Sequence, residues 1–234
     1  MRVLAIGCHP DDIEVSCAGT LAKYKKEGHD VILCHVANGN MGHVVIPPDE
    51  LRLIRAQEAQ NSGRILGAEV LTCDIGDVVV FNGSQKQRDK VVDIIRYAQP
   101  DVIITHSPED YMPDHIAVSK LVFDASFIAS VPHYETAQKT PSKITPIFYV
   151  DNLAGINFIP TEYVDITDTM ETKLQMLEMH VSQMKWMRDH DNIDFAEFVI
   201  SCARFRGIQC GVKYAEAFRP CLAWPKLTTK RMLP

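Results

Sequence analysis

The sequence predicts an α/β fold, a Rossmann-like three-layer arrangement with a mostly parallel sheet and helices on both faces. Short apolar, β-compatible runs recur along the 234 residues. Helical patterns of roughly 11–20 residues separate them, which is the spacing of βαβ units in a parallel sheet. No internal repeat, low-complexity tract or linker interrupts the alternation, so residues 1–234 read as one domain of ordinary size for a single core.

Each element has a local reason. Arg2–Gly7 is an apolar strand, followed by a helical stretch over Cys17–Glu27 that stops at Gly28. Asp30–Val36 is the second strand, and turn formers with Pro47-Pro48 make Ala37–Pro48 a loop. A helix starts at Asp49 or Glu50 and runs to Leu66, with Gly67 near its C-cap. Glu69–Cys73 is the third strand. Gln85–Ala98 is helical, with Val91, Val92, Ile94 and Ile95 on its buried face. Asp101–Thr105 is a fourth, wholly apolar strand, after which Asp114 caps a helix reaching about Ser130. Val131–Pro146 is a long loop. Strands at Ile147–Val150 and Tyr163–Ile166 and helices over Met170–Arg188 and Phe195–Phe205 extend the same domain.

Composition excludes several classes. The chain is 46% hydrophobic and 23% charged, with net charge −6 and no Lys/Arg run. Phosphate neutralisation needs clustered cations, so no nucleic-acid partner is expected. No apolar run reaches the roughly 18–20 residues of a membrane span. Met1-Arg2-Val3-Leu4-Ala5 leads into a strand without a signal-peptide pattern. Seven cysteines without a C-x-x-C pair read as reduced thiols. A cytoplasmic protein is the expectation.

Chemistry concentrates at two strand ends, where open α/β sheets gather their sites. The first carries Gly7-Cys8-His9-Pro10-Asp11-Asp12-Ile13-Glu14; the fourth carries His106, then Glu109, Asp110, Asp114 and His115. There is no G-x-G-x-x-G or P-loop, and three carboxylates at the first turn would repel a phosphate. They suit a cation. One histidine and two aspartates let one carboxylate bind metal while the other acts as base. Helix capping would account for one of Asp11 and Asp12, but poorly for the whole His-Pro-Asp-Asp cluster. For a third ligand, His106 and His115 stand about equal on spacing alone, and either is compatible with a plain hydrogen-bonded histidine.

These residues resemble the PIG-L/LmbE-like deacetylases, which remove acetyl groups from N-acetylglucosamine-type sugars. Members act on glycosyl phosphatidylinositol precursors, mycothiol and bacillithiol precursors, and chitin-derived disaccharides. The resemblance rests on His9-Pro10-Asp11-Asp12-x-Glu14 and Pro113-Asp114-His115, supported by Arg55-x-x-Glu58 ending in Leu66-Gly67, His180-x-Ser182-Gln183 and Tyr214–Phe218. It implies one zinc ion per chain, or another divalent metal, held by His9, Asp12 and His115, with Asp11 as general base. It also implies a small amino-sugar substrate and a homo-oligomer such as a hexamer. Arg55 is similar to a substrate-contacting arginine; the alternative is a surface pair with Glu58, worth about 0.2–0.5 kcal/mol. His180 and Glu216 are substrate contacts or core hydrogen-bonding groups with equal support. His43 faces the cleft or, more simply, is a solvated loop histidine. Family members often carry a histidine three residues before the last ligand, where it helps stabilise the tetrahedral intermediate; here that position is Met112.

The expected chemistry is metal-assisted hydrolysis of an acetamide with no covalent intermediate, consistent with the absence of G-x-S-x-G and H-E-x-x-H. Two rivals stay open: an amidase acting on another amide, such as a thiol conjugate, and a metal-retaining carbohydrate-binding protein with weak turnover, motivated by Met112. A nucleotide-binding regulator fits the acidic first turn badly.

Overall fold

The computed structural model describes residues 1–234. Alternation of apolar side chains makes the sheet a wall with two dry faces. On strand β1 (Arg2–Gly7), Val3 and Ala5 enter one core, while Leu4 and Ile6 enter the other. Strands β2 (Asp30–Ala37) and β4 (Val102–Thr105) flank β1 in parallel; β3 (Glu69–Ile75) and β5 (Ile147–Val150) continue the parallel set outward. β6 (Glu162–Asp165) and β7 (Ala215–Pro220) complete a seven-stranded sheet of order β3-β2-β1-β4-β5-β7-β6, with β7 antiparallel to both β5 and β6.

Helices cover both faces. Leu21 and Tyr24 of α2 (Ala18–Lys26), Met176 and Leu177 of α6 (Met170–Glu178), and Phe195 and Val199 of α8 (Phe195–Cys210) pack on the Val3/Ala5 side. Val91, Val92 and Ile95 of α4 (Gln85–Ala98) join Val118, Leu121 and Val122 of α5 (Pro113–Ile128) on the other. Ile94, expected on the buried face of α4, is only half-buried. The remaining helices are α1 (Asp12–Ser16), α3 (Pro48–Leu66) and α7 (Val181–Asp189).

Four features differ from the sequence expectation. The first helix begins at Asp12 and breaks at Cys17 (φ −147). The helix expected over Met170–Arg188 is two, parted at His180, whose ring turns toward Glu14 at 3.2 Å. Strand β7 lies where the sequence offered only the Tyr214–Phe218 motif; a glutamate and a terminal proline hide the alternation, and Glu216 is held by Lys173 at 2.5 Å. Asp114 does not cap α5. The cap position is Met112 with Pro113 first in the helix, a place where a missing N–H costs nothing.

Strand order reverses between β1 and β4, so their C-terminal ends border a crevice at the topological switch point. Both ionisable clusters of the sequence open into it.

Candidate metal and catalytic site

Gly7 lets the first turn fold tightly under β1: a Cβ there would lie 2.9 Å from Ile13 Cγ1. The chain then carries Asp11 at φ 125, a backbone region that residues other than glycine rarely occupy. Strain of this kind collects where a side chain must be aimed. Asp11 and Asp12, adjacent in sequence, reach the same cavity of about 710 Å³, which His9, Arg55, His106, Met112 and His115 also line.

Asp12 is the hub. Its Oδ2 accepts the His9 backbone N–H at 2.6 Å and lies 3.4 Å from His9 Nδ1 and 3.3 Å from His106 Nε2. Its Oδ1 lies 3.3 Å from His115 Nε2. Two clusters of potential ligand atoms share it, Cys8–His9–Asp12 and Asp12–His106–His115. Burial pushes the Cys8 thiol up to about 12.

Hydrogen bonding distinguishes the two candidate third ligands. His106 Nε2 accepts the Cys8 N–H at 2.9 Å, which occupies its lone pair on the Asp12 side. His115 Nε2 is buried without a hydrogen-bond partner, and its Nδ1 lies 3.3 Å from Asp110 Oδ2. A carboxylate on one ring nitrogen that leaves the other lone pair free is the arrangement of metal-ligating histidines. His9 has the same form, with Nε2 3.4 Å from Asp114 Oδ2 and Nδ1 toward Asp12. The chemistry of this donor set suits a divalent cation at Asp12 and the imidazoles around it, with Asp110 beside the His115 ring and Asp114 beside the His9 ring.

Charges follow this geometry. Burial opposes charging His115, but the Asp12 and Asp110 carboxylates carry it up to about 9. Burial, helped by the neighbouring His115, holds His106 below the usual imidazole range. Burial also raises the Asp11 carboxyl to about 6, against the pull of Arg55. Metal binding requires neutral imidazole, so a cation would displace the His115 proton.

Arg55 lines the cavity and makes no surface pair with Glu58. It is 3% exposed, and Glu58 instead accepts from Ser182 N–H and Oγ. Its Nη2 donates to the Pro10 carbonyl and lies 3.2 Å from Asp11 Oδ2. Gly39, at φ 75, makes room for it: a Cβ there would fall 2.6 Å from Arg55 Cδ. Arg55 thus clamps the loop that carries Asp11 while also lining the cavity.

The other sequence candidates divide. Met112 lines the cavity. The His43 imidazole instead turns to its own loop, its Nδ1 accepting the Val45 and Ile46 N–H groups at 3.1 Å, with its ring 5.7 Å from Trp186. His180 is fully buried behind the site against Glu14. Glu216 lies outside the cavity, spent on Lys173 and on the N–H groups of Gly19 and Thr20. For these last two, every close partner is internal to the protein. The cavity also takes in Gln183 of the His180-x-Ser182-Gln183 motif, and Asp77, Tyr111, Asp151, Asn152 and Trp186, which the sequence did not single out. Asp151 and Asn152 carried a usable signal, since they directly follow a strand that ends at the same sheet edge.

A family model described as PIG-L, GlcNAc-PI de-N-acetylase, matches residues 4–126. The chain is similar to a diacetylchitobiose deacetylase of Thermococcus kodakarensis, 29% identical, with 93% of this chain and 82% of that protein covered. It is also similar to the solved N,N'-diacetylchitobiose deacetylase of Pyrococcus horikoshii, with TM-score 0.80, 27% identity, and 94% and 83% of the two chains covered. The 4-carboxy-2-hydroxymuconate hydratase GalB of Pseudomonas putida shares the fold, with TM-score 0.81, 22% identity, and 99% and 100% covered. With its family model spanning both acidic strand ends, the chain belongs to the PIG-L family.

Proposed function

We propose that residues 1–234 act as one hydrolytic domain that removes the acetyl group from an N-acetylated amino sugar or its conjugate. The observation that carries this reading is the Asp12 carboxylate standing between His9 Nδ1 and His115 Nε2, with the Asp11 carboxyl beside it in one cavity. The deacetylase names of the two relatives supply the direction of the chemistry.

A divalent metal such as zinc, held by His9, Asp12 and His115, would polarise the acetamide carbonyl and a water. Asp11 takes the proton of that water as its oxygen bonds to the carbonyl carbon. When the C–N bond breaks, Asp11 returns the proton to the leaving nitrogen, giving acetate and a free amine. Arg55 keeps the Asp11 carboxyl aimed and its charge balanced. Asp110 and Asp114 hold the two imidazoles in register.

The cavity carries seven aspartates against one arginine. That lining disfavours a polycarboxylate substrate of the kind named for the structural neighbour GalB. Release of acetate and free amine from a panel of N-acetyl sugars tests the proposal. Turnover of a thiol-conjugate amide with no acetate release from the sugars would move the assignment to an amidase. Tight sugar binding without acetate release would make the chain a binding protein.

A further inference from the structure

The end of β5 carries a feature that the hydrolytic centre does not use. Asp151 and Asn152 follow the strand directly, and the Thr105–Tyr149 pairing sets β5 beside β4. They therefore stand about one strand spacing, roughly 5 Å, across the sheet from His106 and its neighbours. That is the width of a sugar ring. Both residues line the main cavity, and both also line a side chamber of about 40 Å³ opening beside it.

The chamber's polar groups are not balanced. Its two cations are committed: Arg206 bonds Asp151 Oδ2, Gln209 and the carbonyls of Gly155 and Phe158, and Lys173 bonds Glu216 and the Val15 carbonyl. Glu216 is satisfied by Lys173 and two backbone N–H groups. What is left over is a pair of acceptors. Asn152, 7% exposed, has a buried Oδ1 with no donor, and Asp151 Oδ1 is buried in the same condition. Buried polar groups are normally paired, and a chamber of this size has room for a water or a hydroxymethyl-sized group.

We propose that Asp151 and Asn152 form a specificity subsite that accepts hydrogen bonds from hydroxyl groups of the substrate beyond the scissile acetamide, and that rejects conjugates bearing phosphate or carboxylate there. A hydroxyl brings the donor that both oxygens lack. An anionic group brings only further acceptors to Asp151 and Asn152, where both neighbouring cations, Arg206 and Lys173, are already committed. The inference rests on the deacetylase reading above and specifies the substrate within it: an uncharged or cationic, hydroxyl-rich amino sugar.

The test is kcat/KM for acetate release by the metal-loaded protein. The substrates are N-acetylglucosamine oligomers, their monodeoxy analogues, a phosphorylated N-acetylglucosamine and N-acetylmuramic acid. Wild type is expected to prefer the neutral sugar over both anionic ones by about 10²-fold, since like-charge juxtaposition is strongly penalised. One deoxy analogue is expected to lose at least about tenfold, and Asn152→Leu should abolish that loss by slowing the parent sugar alone. Asp151→Asn is expected to improve the anionic substrates relative to the neutral one about tenfold, a gain that damaged folding cannot mimic. Equal rates on neutral and anionic sugars, or an Asn152→Leu loss that is uniform across the deoxy panel, would overturn the subsite and leave the deacetylase reading standing. No acetate from any sugar with wild type would overturn both.

Discussion

Asp11 and Asp12 are chemically identical neighbours with different environments, and the difference suits them to different roles. Asp12 is surrounded by three imidazoles and a backbone N–H, which hold its carboxyl well below the usual carboxylate range despite its burial. Asp11 faces Arg55 and the open cavity, and burial leaves it with proton affinity. Asp12→Ala is therefore expected to lose metal first, measured by elemental analysis, with activity falling in proportion. Arg55→Ala frees the Asp11 carboxyl to rotate and is expected to lower kcat by about 10–10²-fold, since misplaced catalytic groups cost rates of that order. A raised KM with unchanged kcat would instead make Arg55 a substrate contact. Met112 has no titratable or strongly hydrogen-bonding group. Met112→His, which adds a donor at the cavity wall, is expected to speed acetate release, and a slower enzyme on every substrate would identify Met112 as an apolar substrate contact.

At the level of elements, the loop and helix ends behind the site are locked by buried polar pairs. Glu14 on α1 binds Ser62 on α3 and faces His180 at the start of α7, with no exposure of either ring or carboxylate. Burial would raise the Glu14 carboxyl, but His180 and Ser62 bring it down to about 2 from an ordinary 4.5. A depressed carboxyl stabilises the fold fully above its unfolded value. That contribution, on the order of 3 kcal/mol, is lost as pH falls from about 4.5 through about 2. Glu14→Gln should flatten this acid limb in a Tm-against-pH series; an unchanged limb would contradict the pairing. Helix α3 docks on β3 through Gly63, where a Cβ would meet Val70 Cγ2 at 2.2 Å. Gly63→Ala is expected to destabilise by about 1–3 kcal/mol through overpacking, read from the denaturation midpoint.

Over the whole molecule, legibility followed the range of the interactions. The parallel strands, the bounds of α4 and the two acidic strand ends were readable because apolar periodicity and motif spacing are local. Strand β7 was not, because its pairing with β5 and β6 and the Lys173–Glu216 bond come from distant segments. The break at His180 was hidden for the same reason: its cause is Glu14, on the other side of the sequence. In the site, His9, Asp11 and Asp12 were legible from one motif. Spacing alone left His106 and His115 level; the Cys8 N–H on one and Asp110 beside the other are brought to them only by the fold.

The central claim is that Asp11 moves the proton beside a metal held by its neighbours. Asn has the shape of Asp, so Asp11→Asn keeps the side chain of the strained turn while removing the base. The decisive measurement is single-turnover acetate release from a neutral N-acetyl sugar, with wild type and Asp11→Asn compared at equal measured metal content. The account predicts one metal per chain in both and a rate about 10²–10⁴-fold lower in the variant. An Asp11→Asn rate close to wild type at equal metal would contradict it.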